Sequence, residues 1–141
     1  MRFRLIFPIL ISVGFACGCG SYKLAPVSGQ VTVNGKPLPN AAVIFQPKRA
    51  KTSTPGPGSY GKTDDQGKYS LLIVGQDRPG AVVGVHQVSI STQVSTDPTG
   101  TRDDLPSTPE KLPARYNSET TLSFDVPAGG TDKADFKLTV P

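Results

Sequence analysis

Histidine and cysteine are almost missing from this chain, and tryptophan is missing altogether: 141 residues hold one His, two Cys and no Trp. The lone histidine, His86, has neither a second imidazole nor a free thiol to complete a nucleophilic set of the Ser-His-Asp or Cys-His kind. Zinc hydrolysis with His and carboxylate ligands around an open position asks for more than one histidine supplies. Cys17 and Cys19 lie together near the N-terminus, so no disulfide staples the body of the chain. Without tryptophan, the flat amphipathic ring that sugar platforms favour has to come from tyrosine.

Helical periodicity is also missing: no ten-residue stretch beyond the N-terminus carries it. The 15 Gly and 14 Pro, about a fifth of the chain, suit short strands and turns instead. A basic stripe is absent as well. The net charge of +4 falls to +2 without Arg2 and Arg4, and the other basic residues are scattered apart from a short run at 48–51. Nucleic-acid binding calls for clustered Lys and Arg interleaved with aromatics, so a nucleic-acid partner is not expected.

What the sequence does hold begins with an address. Arg2 and Arg4 precede an apolar run over 5–16, the length of a signal-peptide core and short of the ~20 residues of a spanning helix. Ala16-Cys17-Gly18-Cys19-Gly20-Ser21 follows. A small residue and a cysteine directly after such a run resemble the lipobox of bacterial lipoproteins, in which the cysteine becomes the acylated first residue of the mature chain. Cys19 is the expected lipidation residue and Cys17 the alternative. The leucine that the pattern favours three positions earlier is replaced by Ala16 or Gly14. An ordinary cleaved secretory signal that discards both cysteines is the competing layout. The expected organisation is a signal peptide over 1–18, an acylated cysteine and tether over 19–26, and one domain over 27–141. Each buried acyl methylene adds ~0.8 kcal/mol, so the anchor implies an exported protein held on a membrane, facing the periplasm or the cell surface.

The domain is organised around Thr63-Asp64-Asp65-Gln66-Gly67-Lys68-Tyr69. Asp-Asp-Gln-Gly reads as a tight turn, with Gly67 supplying the positive φ. Tyr69, Leu71 and Ile73 then alternate with Lys68, Ser70 and Leu72 as one face of a half-buried strand over 69–74. Upstream, Val27, Gly29, Val31 and Val33 predict a strand with one wet face, and Asn34-Gly35 a tight turn. Asn40 suits a left-handed position. Residues 41–46 are apolar on both faces and predict a central strand, 48–59 a long exposed loop, and 60–63 a short strand. His86, Val88 and Ile90 share a face of the next strand. Residues 94–117 carry four prolines and predict a long irregular piece, of the kind that is functional or disordered. Leu122, Phe124 and Val126, then Phe136, Leu138 and Val140, predict a closing hairpin. The expected fold class is all-β, a seven-stranded immunoglobulin-like β-sandwich.

Val27-Ser28-Gly29-Gln30-Val31, the run 34–41, the turn at 63–69 and the strand at 84–90 together resemble carboxypeptidase regulatory-like domains, also called transthyretin-like or prealbumin-like. Leu112-Pro113-Ala114-Arg115-Tyr116-Asn117 and the closing strands are similar to short bacterial lipoproteins carrying this one domain. The resemblance spans about 27–140 and implies a Greek-key sandwich and a non-catalytic module without cofactor. It does not imply peptidase activity. Hydroxyisourate hydrolase, an enzyme on the same fold, uses several histidines and ends Tyr-Arg-Gly-Ser, whereas this chain ends Leu138-Thr139-Val140-Pro141.

Three side chains are candidates for ligand contact: Tyr116 and Arg115 in the proline-rich piece, and Tyr60. They suit a carbohydrate or exopolymer as the alternative function, beside a structural or binding role with an envelope protein or polysaccharide partner. A cryptic hydrolase depending on His86 is the third reading. Asp64-Asp65, Asp97 and Asp103-Asp104 offer carboxylates for calcium but lack the alternation of an EF-hand loop, and turn carboxylates bonding their own backbone are the simpler account.

Overall fold

A computed structural model of the chain describes residues 22–49, 55–93 and 108–141. The signal peptide, Cys17, Cys19, most of the expected tether, Asp97 and Asp103-Asp104 therefore lie outside the described residues. The described chain is all-β, with open sheets and a single 3-10 turn at Ala114–Tyr116.

The strands are β1 (Leu24–Ala25), β2 (Ser28–Val33), β3 (Lys36–Pro37), β4 (Ala42–Pro47), β5 (Ser59–Lys62), β6 (Lys68–Ser70), β7 (Leu72–Ile73), β8 (Ala81–Val82), β9 (Gly84–Ser91), β10 (Ser123–Val126) and β11 (Phe136–Leu138). One sheet has the order β10-β9-β4-β5-β7; the other places β2 between β11 and the successive partners β3 and β6. A two-stranded patch pairs β1 with β8.

The turn chemistry acts where the sequence places it. Asn34 and Gly35, at φ 50° and 80°, fold β3 back onto β2, and Asn40 takes φ 55° before β4. Gly67, at φ 72°, is needed twice over: a Cβ there would also stand 2.4 Å from the Val31 carbonyl oxygen.

The inner faces alternate as expected along β9, where His86, Val88 and Ile90 are buried and Gln87 is exposed. Phe45 sits at the centre of the core. Its ring lies 5.7 Å from Phe124 on its own sheet and 6.1 Å from Phe136, edge-on, across the sandwich. Pairs of this geometry add to simple burial.

Four expectations need correction. β10 and β11 are not a hairpin: β10 pairs with β9, while β11 runs parallel to β2 in the other sheet. The connection between them follows the β2 edge, with the Ser28 amide donating to the Thr131 carbonyl and the Ala134 amide to that of Ser28. Alternation reported the buried faces of both strands correctly but says nothing about partners.

The strand expected over 69–74 breaks at Leu71, so β6 joins one sheet and β7 the other. That break, together with the two-residue β1, β3 and β8, gives eleven short strands among the described residues. β4 is central, yet only Val43 and Phe45 point inward; Ile44 is 41% exposed on the outer face. Ser59, expected at the end of an exposed loop, is fully buried at the start of β5.

Candidate functional site

The turn at 63–69 shows what local sequence can fix. The Asp64 carboxylate accepts the Gln66 and Lys68 amides at 2.8 and 2.9 Å, which shapes the turn from within. Thr63 Oγ1 accepts the Ala41 amide at 2.8 Å. Tyr69 stands opposite Gly29 in the β2–β6 pairing and reaches Ala134, donating its hydroxyl proton to that carbonyl at 2.6 Å. Only glycine leaves room for this crossing, because a Cβ on Gly29 would stand 2.0 Å from the Ala134 oxygen. Burial and the nearby Asp135 push the Tyr69 hydroxyl pKa well above its usual 10. Tyr69 thus bolts β6 to the chain just before β11.

Asp64 borders an open groove of about 640 Å³ lined by polar side chains including Gln30, Lys62, Lys68 and Asp132. Asp64 is committed to its own turn, and Asp135 Oδ1 accepts the Gln30 amide. Among the described residues, no three His, Cys, Asp or Glu side chains gather as a metal site would require.

His86 is fully buried, its ring 5.6 Å from that of Phe45. Nδ1 lies 2.9 Å from the Gly84 carbonyl oxygen, which can only accept, so Nδ1 carries the proton and Nε2 is a bare acceptor. That Nε2 and Ser59 Oγ are buried without a hydrogen-bond partner. Burial lowers the His86 pKa, against the opposing pull of the Gly84 carbonyl and Asp125, so the ring is neutral at neutral pH.

The three candidate contact residues do not form one site by any contact of theirs. Tyr116 and Arg115 share the 3-10 turn, with the Arg115 guanidinium 4.9 Å from the centre of the Tyr116 ring. Both are turned onto the residue that follows β11: the Tyr116 hydroxyl accepts the Thr139 amide and donates to the Thr139 carbonyl, which Arg115 also reaches. Tyr60 lies elsewhere, 45% exposed on the outer face of the five-stranded sheet. Ile44 and Leu72 are its cross-strand neighbours on either side, so the three make an apolar rung across β4, β5 and β7.

Two features escaped the sequence reading. The first is Glu110, whose carboxylate accepts the Ser91 hydroxyl, the Thr92 amide and hydroxyl, and the Leu112 amide. Burial would raise its pKa, but these hydrogen bonds outweigh that and hold it at about 2. The second is an apolar end of the sandwich, where Tyr22, Val74 and Val85 are exposed by 39, 53 and 46%. Strand parity carried a signal for Val85, which must point outward if His86 and Val88 point inward.

Comparison with protein-family models, with curated proteins and with solved structures returned no match.

Proposed function

We propose that this is an exported lipoprotein, acylated at Cys19 or alternatively at Cys17, whose β-sandwich does binding or structural work at the cell envelope and catalyses nothing. The observation that carries the reading is the N-terminal layout: two arginines, an apolar run of about twelve residues, then small residues flanking cysteine. A neutral His86 sealed into the core supports the non-catalytic part, because no substrate reaches its ring. The transthyretin-like resemblance belongs to the same proposal. With 68–73 taken as one bent strand and two-residue β1, β3 and β8 set aside, seven strands remain for a Greek key.

Membrane fractionation tests it. The wild-type chain should stay in the membrane pellet through a high-salt wash, and the double substitution Cys17→Ser with Cys19→Ser should abolish processing at the cysteine. A wild-type protein recovered as a soluble species would overturn the anchor.

A second reading has its own observation, the Ile44–Tyr60–Leu72 rung, in which Ile44 and Tyr60 are exposed and Leu72 half-buried. A tyrosine ring lying between apolar neighbours, with Gln46, Lys62 and Ser89 around it, suits stacking against a sugar of a carbohydrate or exopolymer. Polysaccharide retention lost on Tyr60→Ala but kept on Tyr116→Ala would support it; retention unchanged by both would remove it. The cryptic hydrolase is the weakest reading, and activity-based labelling sensitive to His86→Ala would be required to revive it.

A further inference from the structure

We propose that the end of the sandwich from which the N-terminal tether leaves is a membrane-resting face, seated among the headgroups of an anionic bilayer. The inference rests on the lipid-anchor reading above and gives that anchor a geometry.

Contacts between its parts define the face. The Val83 amide donates to the Lys23 carbonyl, the Lys48 amide to the Val85 carbonyl, and the Val74 amide to that of Gly58. Gln76 donates to the Tyr22 hydroxyl at 3.2 Å, and a Cβ on Gly56 would touch both Tyr22 and Val82. The 22–24 segment, the β7–β8 turn and the starts of β5 and β9 therefore meet at one end. Three of the five large hydrophobic side chains exposed among the described residues, Tyr22, Val74 and Val85, stand there.

Charge at this end matches the apolar content. Lys23, Lys48, Arg49 and Arg78 are exposed, against Asp77 and Asp125. Aromatic and aliphatic side chains ringed by Lys and Arg are what a headgroup region accepts: the apolar tips enter the acyl boundary and the cations stay with phosphate.

The tether decides the occupant. Cys19 and Leu24 are five residues apart, and even a fully extended chain spans only ~18 Å over that stretch. An acylated cysteine sits at the headgroup–hydrocarbon boundary, and a headgroup layer is ~5–7 Å thick on each side. Tyr22, three residues from Cys19, is then held within ~10 Å of the anchor. β1 pairs with β8 directly after it, so this strand fixes the same end of the sandwich toward the lipid. Acylation at Cys17 would lengthen the leash by two residues and leave the same end nearest the membrane.

The test uses the mature protein recovered from membranes, placed in vesicles of phosphatidylethanolamine with phosphatidylglycerol and, separately, of phosphatidylcholine. Amide hydrogen exchange is read at 22–25, 74–77 and 83–86, and at 34–40 and 64–67 as the opposite end. The expected result is slowed exchange at the first three segments only, stronger on the anionic vesicles and weakened by salt. Val74→Ser with Val85→Ser, and separately Lys48→Glu with Arg49→Glu, should remove it, each basic residue lost weakening it about fivefold. A melting curve for each variant establishes that the fold persists.

An intact mass without acyl chains overturns both the anchor and the face. An acylated protein with equal exchange at both ends keeps the anchor and overturns the face. Protection that arises only as protein density on the vesicle rises identifies a second copy as the occupant and likewise overturns it.

Discussion

The two ends of this sandwich are built on opposite terms. At the end holding the 64–67 turn, five side chains close onto backbone: Asp64 on its own turn, Thr63 on Ala41, Asn34 on Val140, Tyr116 on Thr139 and Glu110 on Thr92, just past β9. At the tether end, large apolar side chains are left in water, and His86 Nε2 and Ser59 Oγ are buried without partners. The first end is closed by side chains bonding to backbone, whereas the second is joined mainly through backbone bonds and leaves Tyr22, Val74 and Val85 exposed.

The sharpest way to break the contrast is to attack the clamped side at Gly29. Gly29→Ala drives a methyl into the Ala134 carbonyl and should cost about 3 kcal/mol or more, seen as a melting point lower by about 10–20 °C or as failure to fold. Tyr69→Phe keeps the ring but leaves the Ala134 carbonyl unpaired, so chemical denaturation should register a loss of about 1–3 kcal/mol.

Glu110 adds a pH signature. Its folded pKa of about 2 lies below the ordinary carboxylate value of 4.5, so its contribution is complete above pH 4.5 and is lost as pH falls toward 2. Denaturation midpoints across that window should slope for the wild type and slope less for Glu110→Gln.

At the tether end the effects should shrink. His86→Leu should change stability by no more than about 1 kcal/mol, since the ring gives up one hydrogen bond and one unpartnered acceptor together. Because the folded His86 pKa lies below 6.5, its neutral form supports folding above that pH, and the support fades as pH falls below it; His86→Leu should flatten that decline. Smallest of all, Val74→Ser with Val85→Ser should leave the unfolding free energy from chemical denaturation within the ~0.5 kcal/mol typical of surface changes at each site.

Local chemistry was legible, and pairing was not. Asn34-Gly35, Asn40 and Gly67 declare their conformations because few other residues tolerate positive φ, and the alternation of His86, Val88 and Ile90 declares a buried face. Period-two patterning cannot tell a neighbour in the same sheet from a strand across the core. That is why Leu122–Val126 and Phe136–Val140 read as a hairpin and why the break at Leu71 went unseen: 69, 71 and 73 are all buried on either side of it. Glu110 was illegible for a related reason, since its partners at Ser91 and Thr92 stand 19 and 18 residues away. Among the candidate contacts, Tyr60 could be placed on a strand face by parity, whereas nothing local ties Tyr116 to Thr139, 23 residues on.

The account stands or falls on whether the tether end carries lipid. Its most direct test is the intact mass of the mature protein from the membrane fraction, beside that of a Cys19→Ser version. The account predicts a diacyl or triacyl mass on a chain beginning at Cys19 and gone in the variant, with a start at Cys17 moving the residue but keeping the anchor. An unmodified mass on a soluble chain would contradict it and leave a free β-sandwich whose apolar end needs another partner.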